Sequence, residues 1–225
     1  MVLNCLLAIN SAEACPMYLP EHFKEEDCAE LAALMQRYPL ATLIAAGDDG
    51  ELEVNHIPLE YAHADGQCGV LRGHIAKANP LAQLLEKPRS VYAVFHADQA
   101  YISPNGYPSK LADHRAVPTW NYRAVHVKGR IRCVADEKYL RGILARLTRQ
   151  HEAQQPVPWK MGDAPQDFMR DQLSKIAAVE IEIISMVGKF KVSQNRTKPD
   201  AEGVAKALEQ SHPEMSQSIR RHFPE

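Results

Sequence analysis

The chain has 225 residues, with 26 Lys and Arg against 28 Asp and Glu for a formal charge of −2, and 45% of it is hydrophobic. That balance is ordinary for a globular protein and excludes a disordered chain, and a pI near 6.6 means that any nucleic-acid role needs a local basic patch. No segment approaches the roughly 20 apolar residues of a membrane helix, so a membrane partner is not expected.

The five cysteines, Cys5, Cys15, Cys28, Cys68 and Cys133, are odd in number, scattered and never spaced Cys-x-x-Cys. They suit reduced thiols in a cytoplasm better than a disulfide framework or a zinc site. Met1 to Ile9 is a short apolar run broken by Asn4, with no Lys or Arg ahead of it to make a secretory signal. Met17 offers a second start, so residues 1–16 are expected to be a poorly ordered N-terminal extension ahead of a single domain over residues 17–225.

Between Glu25 and Tyr38, Leu31, Leu34, Met35 and Tyr38 recur at helical spacing, and Pro39 ends the helix. Leu40 to Ala46 is an apolar run stopped by Gly47-Asp48-Asp49-Gly50, which predicts a strand, a tight turn and a returning strand through Val54, Ile57 and Leu59. A turn at Ala64-Asp65-Gly66 leads to a strand over Gly69 to Gly73. Pro80 to Glu86 is a predicted short helix, with Asn79 as N-cap and Pro80 in its first position. Ser90 to His96 alternates as a half-buried strand does. Ser103 to Pro118, rich in Pro, Gly, Asn and Ser, is a predicted long loop of the kind that often carries function. A strand over Ala124 to Val134 precedes a helix capped by Asp136, with Tyr139, Leu140, Ile143, Leu144 and Leu147 as its stripe. Gln154 to Asp167 is a connection, Ile176 to Val187 a strong strand, and Ala201 to Phe223 a helical tail interrupted near Pro213. Strands do not alternate regularly with helices, so the expected fold is α+β, mainly β: an antiparallel barrel with flanking helices.

Four clusters carry potential chemistry. In Gly73-His74-Ile75-Ala76-Lys77-Ala78-Asn79-Pro80 a strand end, a helix start and a cation combine into an anion site, most naturally for phosphate. The same residues equally suit a capped helix with a solvated lysine. In Val117-Pro118-Thr119-Trp120-Asn121-Tyr122, placed at a loop–strand junction, Trp120 and Tyr122 offer flat surface for a ring and Asn121 a donor and an acceptor for its edge. A loop anchored by a buried Trp fits that segment as well. Lys189-Phe190-Lys191-Val192-Ser193-Gln194-Asn195-Arg196 crowds three cations and two amides after the strongest strand, suiting an anion, a heterocycle or a solvated basic edge. Tyr101-Ile102-Ser103-Pro104 ends a strand.

Several familiar chemistries are missing. His151-Glu152 has no second histidine to complete a zinc-protease motif, and the histidines show no ligand-like pair, so no metal site is expected. Neither a Gly-x-Ser-x-Gly elbow, nor a P-loop, nor a Gly-x-Gly-x-x-Gly fingerprint, nor a recognisable helix-turn-helix occurs, and no residue stands out as an obligatory acid, base or nucleophile.

In the same order along the chain, Met17-Tyr18-Leu19-Pro20-Glu21-His22-Phe23 and these four clusters resemble the signatures of the FMN-binding negative transcriptional regulators, the PaiB-type family. The resemblance runs from Met17 to the C-terminus. It implies a flavin-type split β-barrel, related to pyridoxamine-phosphate oxidase, that forms a homodimer with FMN in a cleft between subunits. In those relatives a Ser-x-Lys-type turn after a strand holds the FMN phosphate. His74, Ala76 and Lys77 lie at the similar place, with Ala76 where the serine would be, and Asn55 and His56 stand where relatives place an arginine. Asn79 belongs with the phosphate group. The resemblance further implies that Trp120 and Tyr122 pack near the ring with Asn121 at its polar edge, that Gln194, Asn195 and Arg196 complete the pocket, and that Tyr101, Ser103 and Lys191 count among the cofactor-binding residues. The implied function is a flavin-dependent repressor or sensor that meets DNA through a local basic patch. The alternative is a flavin- or haem-handling oxidoreductase of the same fold, for which His74, His96 and His126 leave room. Flavin chemistry needs no catalytic side chain, because the cofactor carries the redox step.

Overall fold

The structure, a computed structural model, describes residues 17–63 and 68–223. The extension expected over residues 1–16 lies outside the described residues.

A 3-10 turn at Glu21–Phe23 is followed by β1 (Lys24–Glu25), α1 (Cys28–Arg37), β2 (Leu40–Ala46), β3 (Leu52–Pro58), β4 (Glu60–Ala62), β5 (Val70–Ala76), α2 (Pro80–Leu84) and β6 (Arg89–Ile102). After a second 3-10 turn at Pro104–Gly106 come α3 (Lys110–Asp113), β7 (Thr119–Val134), α4 (Glu137–Glu152), a third 3-10 turn at Met161–Asp163, α5 (Gln166–Ser174), β8 (Ile176–Lys191), α6 (Lys198–Leu208) and α7 (Pro213–His222). The strands form one sheet in the order β3-β2-β6-β7-β8-β5-β4, and β1 pairs with β8. The sheet is antiparallel, mainly β with flanking helices, as the sequence implied.

The chain divides into two compact units, and β6, β7 and β8 contribute residues to both. The first unit takes residues 35–94 and 127–186. Its β2–β3 hairpin pairs Leu40 with Pro58 and Ala46 with Leu52. Alternate residues Ala41, Leu43 and Ala45 are buried, while Leu40, Leu52 and Val54 face solvent. Gly47 N–H donates to the Glu51 carbonyl at 2.7 Å, closing the turn read from Gly47 to Gly50. α4 begins where Asp136 Oδ1 accepts from Tyr139 N–H at 3.1 Å, and it buries Leu140, Ile143 and Leu147 against Leu173 and Ala178. Burial and the neighbouring Glu180 carboxylate push the Tyr139 hydroxyl up to about 12.

The second unit takes residues 17–34, 95–126 and 187–223. Its core joins Ala100, Ile102 and Tyr107 to Val192 and to the inward faces of α6 and α7, among them Val204, Leu208, Met215 and Ile219. Buried Asp200 accepts from Ser109 N–H at 3.0 Å and from its hydroxyl at 2.7 Å, tying α6 to the segment between β6 and β7.

Six expectations need correction. β6 runs on to Ile102, β7 starts at Thr119 rather than Ala124, and β8 continues through Lys191. Polar residues such as Asp98 and Arg123 hide these extensions, and it is their cross-strand partners that keep them extended. The segment over Ser103 to Pro118 holds a 3-10 turn and α3 rather than a plain loop. α5 was not anticipated, because Leu173 is its only buried residue and so leaves a weak stripe. The helix expected over Pro80 to Glu86 ends at Leu84.

Candidate functional site

In the first unit, β5 carries His74 and Ala76 out to the exposed Lys77. Gly73 sits where a Cβ would come 2.8 Å from Leu59 Cδ2 and 3.0 Å from the Pro58 carbonyl oxygen, so the strand can lie this close only with glycine there. Asn79 caps α2 as read from the sequence: Oδ1 accepts from Leu81 N–H at 2.9 Å, and Pro80 follows. Its Nδ2 donates to Asn55 Oδ1 at 2.6 Å, which brings β3 and the β5–α2 turn together. His56, next on β3, is exposed, with Nδ1 3.2 Å from Thr42 Oγ1.

The backbone N–H groups that an anion would need at this turn are largely committed. Lys77 N–H donates to the Lys175 carbonyl at 2.8 Å, and Asn79 N–H to the Ala76 carbonyl at 3.0 Å. α2 has five residues, too few for a strong dipole. Anion-binding capacity therefore rests on side chains. Two buried nitrogens there, Asn55 Nδ2 and His74 Nδ1, have no hydrogen-bond partner among the described residues. Burial lowers the His74 pKa, so the ring is neutral near pH 7 and offers one N–H. Lys77 also lines a cavity of about 430 Å³ together with Cys133, Asp136, Arg170 and Ser174.

In the second unit, Trp120, Asn121 and Tyr122 are among the first residues of β7, which starts at Thr119, so the cluster lies at the loop–strand junction as expected. Trp120 is 53% exposed, and its ring meets Tyr101 edge-on with centroids 6.0 Å apart. Asn121 is buried, and its Nδ2 donates to Ser193 Oγ at 2.8 Å. That bond helps hold Ser193 at φ 70, a left-handed conformation unusual outside glycine. Lys191 Nζ donates to Thr119 Oγ1 at 2.5 Å and to the Trp120 carbonyl at 2.6 Å. Gln194 turns back on its own strand end, donating to the Phe190 carbonyl and accepting from Val192 N–H. Asn195 is exposed, Arg196 stacks 4.6 Å over the Tyr107 ring, and Ser103 Oγ accepts from Asn105 N–H at 3.2 Å.

Much of the Lys189–Arg196 cluster thus secures the end of β8. Gln99, not singled out in the sequence, and Tyr18 of the opening motif, to which no binding role was given, join His96, Trp120, Tyr122, His126 and Lys189 around a cavity of about 480 Å³. The available signal was Lys189, a lysine at a buried position of a strand. Among the described residues there is no group of three or more His, Cys, Asp or Glu that could hold a metal ion, and no helix is long and apolar enough to cross a membrane.

The family described as "Putative FMN-binding domain" matches residues 17–185. An uncharacterised protein of Aspergillus fumigatus is 31% identical over 206 residues, covering 77% of this chain and 79% of that protein. The protease synthase and sporulation protein PAI 2 of Bacillus subtilis is 26% identical over 194 residues, covering 86% and 89%. Among solved structures, the FAD and heme binding protein from Mycobacterium smegmatis shares the fold, with a TM-score of 0.55 and 18% identity over 75% of this chain and 73% of that one. A match over most of the chain, on the antiparallel split-barrel architecture of flavin proteins, places this protein in the FMN-binding domain family, with a PaiB-type relative in Bacillus.

Proposed function

We propose that the protein binds FMN by its phosphate at the Lys77 turn and works, as a homodimer, as a flavin-dependent transcriptional regulator. The observation that carries this reading is the pair of buried nitrogens without a partner among the described residues: His74 Nδ1 on β5, the strand that runs out to Lys77, and Asn55 Nδ2 on β3, bound to the same turn through Asn79. A buried polar nitrogen without a partner costs free energy, and a phosphate oxygen would accept from Asn55 Nδ2 and, in the tautomer with its hydrogen on Nδ1, from His74. Lys77 supplies the charge, neutral His74 and Asn55 supply neutral donors, and Asn79 positions the turn through its bonds to Leu81 and Asn55. Ala76 leaves the turn without the serine hydroxyl of related proteins, so binding rests on these side chains. FMN, when bound, supplies a ring that can be reduced and reoxidised.

The regulatory half of the reading draws on kinship with PAI 2. The dimer draws on the exposed Leu40, Leu52 and Val54 of the β2–β3 hairpin, an apolar face that a second copy would cover. Quenching of flavin fluorescence tests the site. FMN should bind at least tenfold tighter than riboflavin, which lacks the phosphate, and Lys77→Ala should abolish that preference; equal affinity for the two in the unaltered protein refutes the assignment. A salt-dependent shift of a promoter fragment tests direct DNA contact, and no shift at low salt counts against it. Anaerobic reduction of bound FMN by NADH or NADPH would favour an oxidoreductase instead.

A further inference from the structure

The cavity of about 480 Å³ in the second unit is built around a buried cation. Lys189 is 8% exposed. Its ammonium donates to the Tyr18 carbonyl at 2.8 Å and stands 5.2 Å from the Tyr18 ring centroid and 5.6 Å from that of Tyr122. Among the described residues, no Asp or Glu lines the cavity. Two of the three ammonium N–H groups have no acceptor among the described residues. A buried charge without a counter-charge is costly, and two ring faces offset only part of that cost.

The surroundings add positive potential. The His126 pKa is lowered by burial and further by His96 and Lys189, and that of Lys191 by burial, Lys189 and Arg196. The walls are aromatic and open: Tyr18 is 85% exposed and Trp120 53%. Large aromatic faces left to solvent around an unneutralised ammonium are the complement of a flat ring bearing one negative charge. A dianionic phosphate fits poorly, since it calls for several charge-assisted donors and Lys191 is already engaged by Thr119 and Trp120. The volume lies in the range of small-molecule pockets and accommodates two fused rings.

We propose that this cavity binds a planar aromatic carboxylate, its ring against Tyr18, Trp120 and Tyr122 and its carboxylate on Lys189. The inference goes beyond FMN: it gives Trp120 and Tyr122, which the resemblance set beside the flavin ring, to a second ligand, and it does not depend on the phosphate site, because none of these residues belongs to the Lys77 turn.

Calorimetric titration of the full-length protein with 2-naphthoate and with its neutral counterpart 2-naphthamide tests the proposal. The acid should bind one per chain and at least tenfold tighter than the amide, and Lys189→Met should erase that difference. The acid–amide comparison on the unaltered protein needs no variant, so the test survives if Lys189→Met folds poorly. Equal binding of acid and amide, or no binding of either, overturns the proposal. Competitive displacement of naphthoate by FMN also overturns it and assigns the cavity to the flavin ring, whereas loss of FMN binding with naphthoate binding retained overturns only the Lys77 reading.

Discussion

Replacing Asn79 separates the two jobs that one side chain performs at the Lys77 turn. Its Oδ1 caps α2 by accepting from Leu81 N–H at 2.9 Å, and its Nδ2 bridges to Asn55 Oδ1 at 2.6 Å, both bonds part-buried. Losing an N-cap costs about 0.5–2 kcal/mol. Losing a part-buried amide bond, with Asn55 Oδ1 left unpaired, costs about 1 kcal/mol more. Asn79→Ala removes both and should destabilise the protein by about 2 kcal/mol, a fall in Tm of about 4–8 °C at this chain length. Asn79→Ser keeps a capping hydroxyl but cannot reach Asn55, so it should cost about 1 kcal/mol, roughly half the fall. Urea unfolding of both variants, with Asn55→Ala and the Asn55→Ala/Asn79→Ala pair, completes a cycle whose coupling should be about 1 kcal/mol. A serine variant as unstable as the alanine variant, or a pair additive to within about 0.3 kcal/mol, would refute the two-job account.

Gly73→Ala should cost about 1–3 kcal/mol in urea unfolding, because its Cβ meets Leu59 Cδ2 at 2.8 Å and the Pro58 carbonyl oxygen at 3.0 Å; an unchanged midpoint would contradict that packing. Burial lowers the pKa of both His74 and His126 from the model-compound value of 6.5. Between the native values and 6.5 the unfolded chain therefore binds more protons than the folded one. Tm should fall as pH drops below about 6.5 and level off once the native histidines are protonated. His126→Gln should shallow that fall, and a variant with the same profile would exclude His126 as a contributor. Asp98→Ala should destabilise by about 3 kcal/mol, since it strands the Arg123 guanidinium, held 2.5 Å from a carboxylate only 8% exposed. Thermal melting checks this, and Asp98→Asn should lose less because its amide oxygen still accepts from Arg123.

Short-range chemistry alone made several elements legible. The Gly47–Gly50 turn, the α4 stripe and the Asn79-Pro80 helix start all follow from local patterns, since turn conformation, helical period and capping are decided within a few residues. The ordered run of motifs carried the family as well, from Met17 onward. What the sequence could not show lies in pairings between distant residues. Asn55 and Asn79 are 24 positions apart, Asn121 and Ser193 are 72 apart, and Lys189 and the Tyr18 carbonyl are 171 apart. Such bonds depend on strand register and on which face each side chain takes, which only the assembled sheet determines. The same cause hid the long reach of β6, β7 and β8 and turned part of a supposed ligand-binding cluster at Lys191 and Gln194 into the fastening of a strand end. By itself the sequence determined the locally specified elements, the family and the residue types available for binding. Tertiary structure decided which of them keep unspent donors or charge, because a polar group's partners are known only once the chain has brought them within bonding distance.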